Sequence, residues 1–573
     1  MTTTTSKKTK NLQEKLNQLR REAEEKRANQ IAEKLNLPYL DLKITPIESE
    51  SLGLIKEEKA KKAKAAIIKK KGKQLWLASQ DPSNPLVKEI LEELKKAGYQ
   101  INLLVASESG LKKAWTGYEE LAKKPAKEIT GKVEIAGEVL EKLKKEIKSL
   151  DDIKKQIEKT PISQASTIVE ILLAGGLQTN ASDVHLETET DKTNLRYRID
   201  GLLQDVVFLS PKIYHFVLNR LKLLAGMKLN VHDTAQDGRF TIAIDKTDME
   251  IRVSCIPSAY GENIVMRILN PKAIALGLED LGLRPDILEI IQKEIQKPNG
   301  ILITTGPTGS GKTTLLYAFI KKVNKPEVKI ITLEDPIEYH LEGITQTQVE
   351  AKKDYASAKN LQIETESGYT FAKGLRAILR QDPDVILIGE IRDEETARIA
   401  VQAALTGHLV FSTLHTNDAA GAIPRFFDIG VAASNLASAL NLIMAQRLIR
   451  KVCQKCRQAV SPSEAQLSEI KKTLTGLPKQ VKRPTLDKKL KIYQAKGCSQ
   501  CNQTGYQGRI GIFEMISINE EMEKLISASA NHLQILKKAR EQGMVSFYQD
   551  ALLKALEGIT TLEEVERVIG SQE

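Results

Sequence analysis

The sequence predicts a multidomain chain of α/β and α+β units. Its 573 residues exceed what one hydrophobic core organises, so three or four domains are expected. A hydrophobic content of 41% is ordinary for a folded globular protein. Between residues 280 and 452, strand-like apolar runs alternate with helical patterns, as in a mostly parallel sheet.

No run reaches the ~18 apolar residues that span a bilayer. The N-terminus, Met-Thr-Thr-Thr-Thr-Ser, has no apolar h-region, so a cytosolic location is expected rather than secretion. The net charge of +11 arises from 85 basic and 74 acidic residues. The lysines alternate with glutamates, as in Glu141-Lys-Leu-Lys-Lys-Glu-Ile-Lys148, which reads as solvated helix faces. Lys69-Lys70-Lys71, a tight basic cluster, falls in an expected turn and has no aromatic interleaving. Nucleic acid is therefore not an expected partner.

Residues 1–36 read as a charged N-terminal helix with Leu12, Leu16, Leu19 and Ala23 on a narrow stripe. A small α/β domain is expected over 37–105. There Ala66–Ile68 and Leu75–Ala78 flank a Lys-Gly-Lys turn, Leu86–Ala97 is amphipathic, and Ile101–Val105 is a strand. Residues 106–160, rich in Lys and Glu, read as a helical linker. An α+β domain follows over 161–270, with an apolar helix at Thr167–Leu177 and alternating strands at Asn194–Asp200 and Met249–Ile256. The α/β domain covers 280–452, a cysteine-bearing element 453–509, and a helical region 510–573.

Gly306-Pro-Thr-Gly-Ser-Gly-Lys-Thr313 matches G-x-x-x-x-G-K-[ST] between an apolar strand, 301–305, and a helix beginning at Thr314. That context marks a phosphate-binding loop over Gly306, Pro307, Thr308, Gly309, Ser310, Gly311, Lys312, Thr313 and Thr314. Glycines let backbone N–H groups close on phosphates, and the helix N-terminus adds positive potential. Lys312 would reach the β- and γ-phosphates of a nucleoside triphosphate, and the Thr313 hydroxyl would ligate Mg²⁺.

Two further strands end in acids. Val328–Leu333 runs into Glu334 and Asp335, and Val385–Ile388 into Gly389 and Glu390. Ligands of open α/β sheets sit at the carboxyl ends of strands, so both acids are expected beside the loop. There they would hold Mg²⁺ through water and orient or deprotonate the attacking water. His415, in Ser412-Thr-Leu-His-Thr-Asn417, reads on its own as a core or turn residue, as does His408. Cys453-x-x-Cys456 and Cys498-x-x-Cys501 use four of the five cysteines and suit a closed tetrahedral Zn²⁺. Cys255 reads as a small core residue.

Several of these motifs resemble a known family. Leu379–Asp393, Ile331–Glu338 and Ser412–Asn417 resemble the signature, aspartate box and histidine box of the motor ATPases of type II secretion and type IV pilus systems. Ala181–Glu187, Arg196–Gly201 and Glu557–Val565 match as well. The likeness runs through 160–573 and more loosely through 30–105.

The resemblance implies a RecA-like motor domain at 280–452 and a PAS-like domain at 161–270, assembled as a homo-hexamer with ATP between them. Arginine fingers would come from Arg196, Arg198, Arg380 and Arg392, with Arg239 a further candidate. Each could equally serve a structural ion pair. It implies a nucleotide-state sensor at His415, a water-orienting or Mg²⁺-shell role for Glu390, and a general base at Glu334, with the two exchangeable. It also implies structural zinc at the four cysteines. The cysteine element and the N-terminal extension are absent from retraction motors, which favours extension or secretion.

The implied activity is ATP hydrolysis that powers type IV pilus assembly through an inner-membrane platform protein, at the inner face of the membrane. The alternative is a type II secretion motor. A nucleic-acid-translocating motor is a remote third reading. Some relatives bind cyclic di-GMP through an Arg-Leu-Gly motif, which this sequence lacks, so that ligand is not expected. The polar stretch 351–368 is longer than in relatives and reads as a surface loop near the nucleotide.

Overall fold

The computed structural model describes residues 23–42, 45, 49–52, 54–55, 57–71, 74–96, 98–123, 140, 143, 145–161, 164–244, 247–270, 276–355, 364–486 and 490–570. The chain divides into two compact units, 1–130 and 131–573.

In the first unit, strands Ala65–Lys71, Gln74–Ser79 and Gln100–Val105 form one sheet in that order. The first pair is antiparallel and the second parallel. The amphipathic helix Pro85–Lys96 buries Val87, Ile90 and Leu94 in the same core as the sheet residues Ile67, Leu75 and Leu77. The Lys69–Lys71 cluster lies in a strand rather than a turn, and Lys69 Nζ sits 5.5 Å from the Trp76 ring centroid. Ala23 is exposed in its helix, whose buried contacts are Ala28 and Ala32 against Val105. Leu12, Leu16 and Leu19 lie outside the described residues.

The stretch 106–160, expected to be a linker, instead supplies core to both units. Helix Glu108–Lys123 buries Leu111, Ala114 and Tyr118 in the first core, and the Tyr118 hydroxyl donates to Leu52 O and Ile55 O, both at 3.0 Å. Helix Leu150–Lys159 buries Ile153 and Ile157 in the core of the following domain. Lys and Glu dominate these helices by number, but apolar residues at helical spacing decide where they pack.

The second unit opens with a six-stranded antiparallel sheet. Its order is Leu202–Leu209, Thr193–Ile199, Asp183–Thr188, Gly261–Leu269, Thr247–Ser258, Gln236–Ile244. Helices Ala165–Gln178 and Pro211–Leu224 pack their apolar faces on it.

The RecA-like sheet that follows has seven strands, ordered Thr345–Gln348, Ile330–Glu334, Val385–Ile388, Leu409–Leu414, Gly300–Thr305, Leu440–Val452, Tyr506–Ser517. Six run parallel and the last is antiparallel. The final strand extends to Ser517, into the start of the mainly helical region expected over 510–573. It follows that the cysteine element is an insertion between two adjacent strands of the motor sheet. Four helices, Glu520–Ser527, His532–Glu541, Phe547–Leu556 and Leu562–Ile569, complete the described tail. Within 351–368, strands Glu350–Tyr355 and Glu364–Tyr369 pair as antiparallel partners; residues 356–363 lie outside the described residues.

Candidate active site and metal centre

The motor strands deliver their C-terminal ends to one cleft of about 830 Å³. The loop after Gly300–Thr305 enters helix Lys312–Val323, whose Leu315, Leu316, Phe319 and Ile320 are buried. Each contributes about 1.5–3 kcal/mol, so the helix N-terminus is firmly placed. Gly306 and Gly311 have φ of 144° and 90°. A Cβ on Gly306 would lie 2.4 Å from Gln446 O, and one on Gly311 2.9 Å from Gln446 Nε2. The neighbouring backbone therefore leaves no room for a side chain at Gly306, and at Gly311 the left-handed φ is what favours glycine.

Residues 308–314 line the cleft, and Gly306 and Pro307 do not. Lys312 Nζ donates to Gly306 O at 2.8 Å and Pro307 O at 3.2 Å, closing the loop on itself. Burial lowers the Lys312 pKa, and nearby Glu390 opposes that shift. A poorly solvated ammonium of this kind gains most from an anionic ligand.

The two acids occupy different surroundings. Glu334, 4% exposed, accepts from Tyr317 Oη at 2.5 Å on Oε2, and from Thr332 Oγ1 at 2.6 Å and Gln346 Nε2 at 3.1 Å on Oε1. Its carboxylate is thus held in one orientation. Glu390 pairs with Arg392 Nη2 at 2.5 Å and His415 Nε2 at 3.3 Å. His415 lines the cleft beside it. His408 instead contacts Ala403 O at 2.9 Å, at the opposite, amino end of its strand.

The arginines separate into two sets. Arg198 and Arg392 line the cleft. Arg196 is held by Glu187 and Asp205 at 3.3 and 2.9 Å. Arg239, with its side chain 73% exposed, has Glu250 at 3.7 Å as its ion-pair partner among the described residues. Arg380 donates to Arg376 O at 3.0 Å. None of these three lines the cleft of its own chain.

Sequence reasoning missed four groups. Tyr317 orients Glu334. Asp183 holds Arg267 Nε at 3.0 Å and Arg198 Nε at 3.4 Å on the cleft wall. Arg252 joins the antiparallel sheet to the motor, bonding Glu338 Oε2 at 3.1 Å and Ile337 O at 2.8 Å. Arg509 also lines the cleft. Tyr317 had a signal of sorts, since it lies on the phosphate-loop helix. Asp183 meets Arg267 and Arg198 through sheet register, and Arg252 meets Ile337 and Glu338 only through the packing of the two domains.

The four cysteine sulfurs lie within 4.8 Å of one another. Cys453–Cys498, Cys456–Cys501 and Cys498–Cys501 are separated by 3.9, 3.8 and 3.7 Å. A tetrahedral ion with Zn–S of about 2.3 Å needs sulfurs about 3.8 Å apart, so this donor set fits zinc. The backbone N–H groups of Cys498 and Gly505 each donate to Cys501 Sγ at 3.2 Å, the outer-shell support that thiolate ligands require. Four sulfurs leave no open coordination position. Cys255 is buried in the antiparallel-sheet core and donates to Glu262 Oε1 at 3.2 Å.

A family model described as "Type II/IV secretion system protein" matches residues 158–567, and one for the MshEN domain matches 35–124. The chain is 39% identical over 499 residues to the type II secretion system protein E of Pseudomonas aeruginosa, covering 86% of this chain and 92% of that protein. It is 34% identical over 543 residues to the type IV pilus assembly ATPase PilB of Myxococcus xanthus, covering 95% and 90%. Against the structure of the pilus retraction motor PilT with bound ADP, the TM-score is 0.46 at 25% identity, covering 72% of this chain and 97% of that one.

Proposed function

The chain belongs to the type II/IV secretion system protein family, and on that premise we propose that it is an ATPase powering type IV pilus assembly through an inner-membrane platform protein. The observation that carries this reading is the convergence of residues 308–314, Glu334, Glu390 and His415 on one cleft. Loop N–H groups and Lys312 take the phosphates of ATP. The Thr313 hydroxyl, and through water the acids, would hold Mg²⁺, which would supply positive charge to the phosphates. Glu390 orients the attacking water, or holds the water shell of the ion. Glu334, fixed by three donors, is the candidate general base. His415, beside Glu390, senses the occupied state.

We assign Arg198 and Arg392 to the cleft of their own chain. Arg196, Arg239 and Arg380 are available to a neighbour's site in a homo-hexameric ring at the cytoplasmic face of the inner membrane. Zinc at Cys453, Cys456, Cys498 and Cys501 is structural. Identity to type II secretion system protein E favours a second reading, in which the same motor drives a secretion pseudopilus.

The test compares purified wild type with Lys312→Ala. Wild type should hydrolyse ATP and the variant should not; equal turnover overturns the ATPase assignment. In cells lacking the gene, surface fibres restored by wild type but not by Lys312→Ala support pilus assembly. Fibres that persist while exported proteins accumulate inside the cell favour the secretion motor.

A further inference from the structure

We propose that Arg509 is a nucleotide-binding residue of this cleft, set in place by the four-cysteine cluster. The inference rests on the ATPase reading and adds a residue from a part of the chain that carries no nucleotide motif.

Arg509 lies on strand Tyr506–Ser517, opposite Arg450 of strand Leu440–Val452. Two residues along the same ladder, Leu448 faces Gly511, and Leu448 Cδ2 lies 3.7 Å from where a Cβ on Gly311 would stand. The ladder thus runs alongside the phosphate loop. On the opposite wall, Arg509 Nη1 lies 4.0 Å from the Cβ position of Gly201. The preceding N–H, of Gly508, donates to Asp200 Oδ2 at 2.8 Å. Arg509 therefore spans from the motor sheet to the antiparallel domain across the cleft that residues 308–314 line.

Its charge is also uncommitted. Arg198 and Arg267 are held by Asp183, and Arg392 by Glu390. Arg509 makes no ion pair among the described residues. A guanidinium presents five donors in a planar fork matched to phosphate oxygens. Of the arginines on this cleft, Arg509 alone meets an anion without first leaving a carboxylate.

The cysteine cluster sits at the end of the ladder nearest Arg509. Cys453 follows Val452, which pairs with Tyr506. Its N–H donates to Gly505 O at 2.9 Å, and the Gly505 N–H donates to Cys501 Sγ. The Arg450 guanidinium stacks 3.9 Å from the Tyr506 ring centroid. The ladder register shifts between Arg450 and Val452, so the pairing just beyond Arg509 depends on this clamp. An ion at the cluster therefore controls where Arg509 points.

The experiment measures binding of N-methylanthraniloyl-ATP to the full chain, with thermal unfolding in parallel. Arg509→Ala should bind about tenfold more weakly with an unchanged melting temperature, as expected for losing a charge-assisted contact from an exposed residue. Arg509→Lys should recover part of the affinity. Wild type stripped with a zinc-selective chelator should weaken similarly, and stripped Arg509→Ala should weaken no further. Binding by Arg509→Ala within twofold of wild type overturns the proposal. Equal weakening of wild type and Arg509→Ala on stripping overturns the role of the cluster. Wild type that binds no nucleotide overturns the ATPase reading and this inference with it.

Discussion

The Tyr317 hydroxyl donates to Glu334 Oε2 at 2.5 Å, joining the phosphate-loop helix to the acid that ends strand Ile330–Glu334. Burial, and then the Glu334 charge, push the Tyr317 hydroxyl well above its ordinary value, so it remains a donor at working pH. Tyr317→Phe leaves a buried carboxylate oxygen unpaired. Stability should fall by about 1–3 kcal/mol, and turnover about tenfold, of the order that one misplaced catalytic group costs, with nucleotide affinity retained. Urea unfolding and phosphate release measure the two effects.

Glu390 faces Arg392 and His415, and its charge acts on Lys312. Glu390→Gln should retain ATP and slow hydrolysis about a hundredfold or more. Single-turnover kinetics separate binding from chemistry. Near-normal turnover would move the water-orienting role to Glu334, and Glu334→Gln would then be the slow variant.

Arg252 links the antiparallel domain to the segment that follows Glu334 through Glu338 and Ile337 O. Arg252→Ala should loosen that cleft wall and raise KM for ATP by about twofold to fivefold, the size expected of a partly exposed ion pair. A fall in kcat with KM unchanged would contradict a purely positioning role.

Elemental analysis of protein purified without chelators should find about one zinc per chain, and Cys498→Ser should lose it. On stripping, amide exchange should speed up in the ladder of Arg457–Val460 with Ile492–Ala495, which the cysteines bracket. The buried strand Gly300–Thr305 should keep its protection.

Glu564 is fully buried and accepts from Arg450 Nη2 at 2.7 Å and Arg567 Nη2 at 2.6 Å. Burial raises its pKa, but hydrogen bonds from Arg567 and then Arg450 outweigh that and hold it below the ordinary 4.5. A depressed carboxyl contributes stability that is present above pH 4.5 and lost as pH falls through the lowered value. Glu564→Gln should therefore cost about 3–5 kcal/mol at pH 7 by leaving Arg450 uncompensated. Its acid limb below pH 4.5 should be flatter than that of wild type. Denaturant titrations at pH 7 and pH 3 provide both comparisons.

The cleft was partly legible in the sequence for a local reason. A phosphate loop is one contiguous turn whose glycines and lysine act within eight positions. Strand-terminal acids share the cleft because parallel strands all end on the same side of the sheet. The arginines had no such rule. Arg196 and Arg198 sit two apart on one strand, yet only Arg198 lines the cleft. Arg267 meets Asp183 across 84 residues of chain because their strands pair. The linker reading failed for a related cause, since Lys and Glu content does not reveal that Leu111, Tyr118, Ile153 and Ile157 are buried.

The sequence alone was enough for the glycine-rich loop with its lysine, the order of the acids behind it, and the two C-x-x-C pairs, because each is encoded by residues adjacent in the chain. Tertiary structure alone decided that the cysteine element is inserted between two motor strands. It also decided that Tyr317 orients Glu334, and that Arg198, Arg267 and Arg509 share the cleft. Those relations depend on strand order, on register and, for Tyr317, on how its helix packs on the sheet, and the pattern of side chains along any single element does not specify its partner.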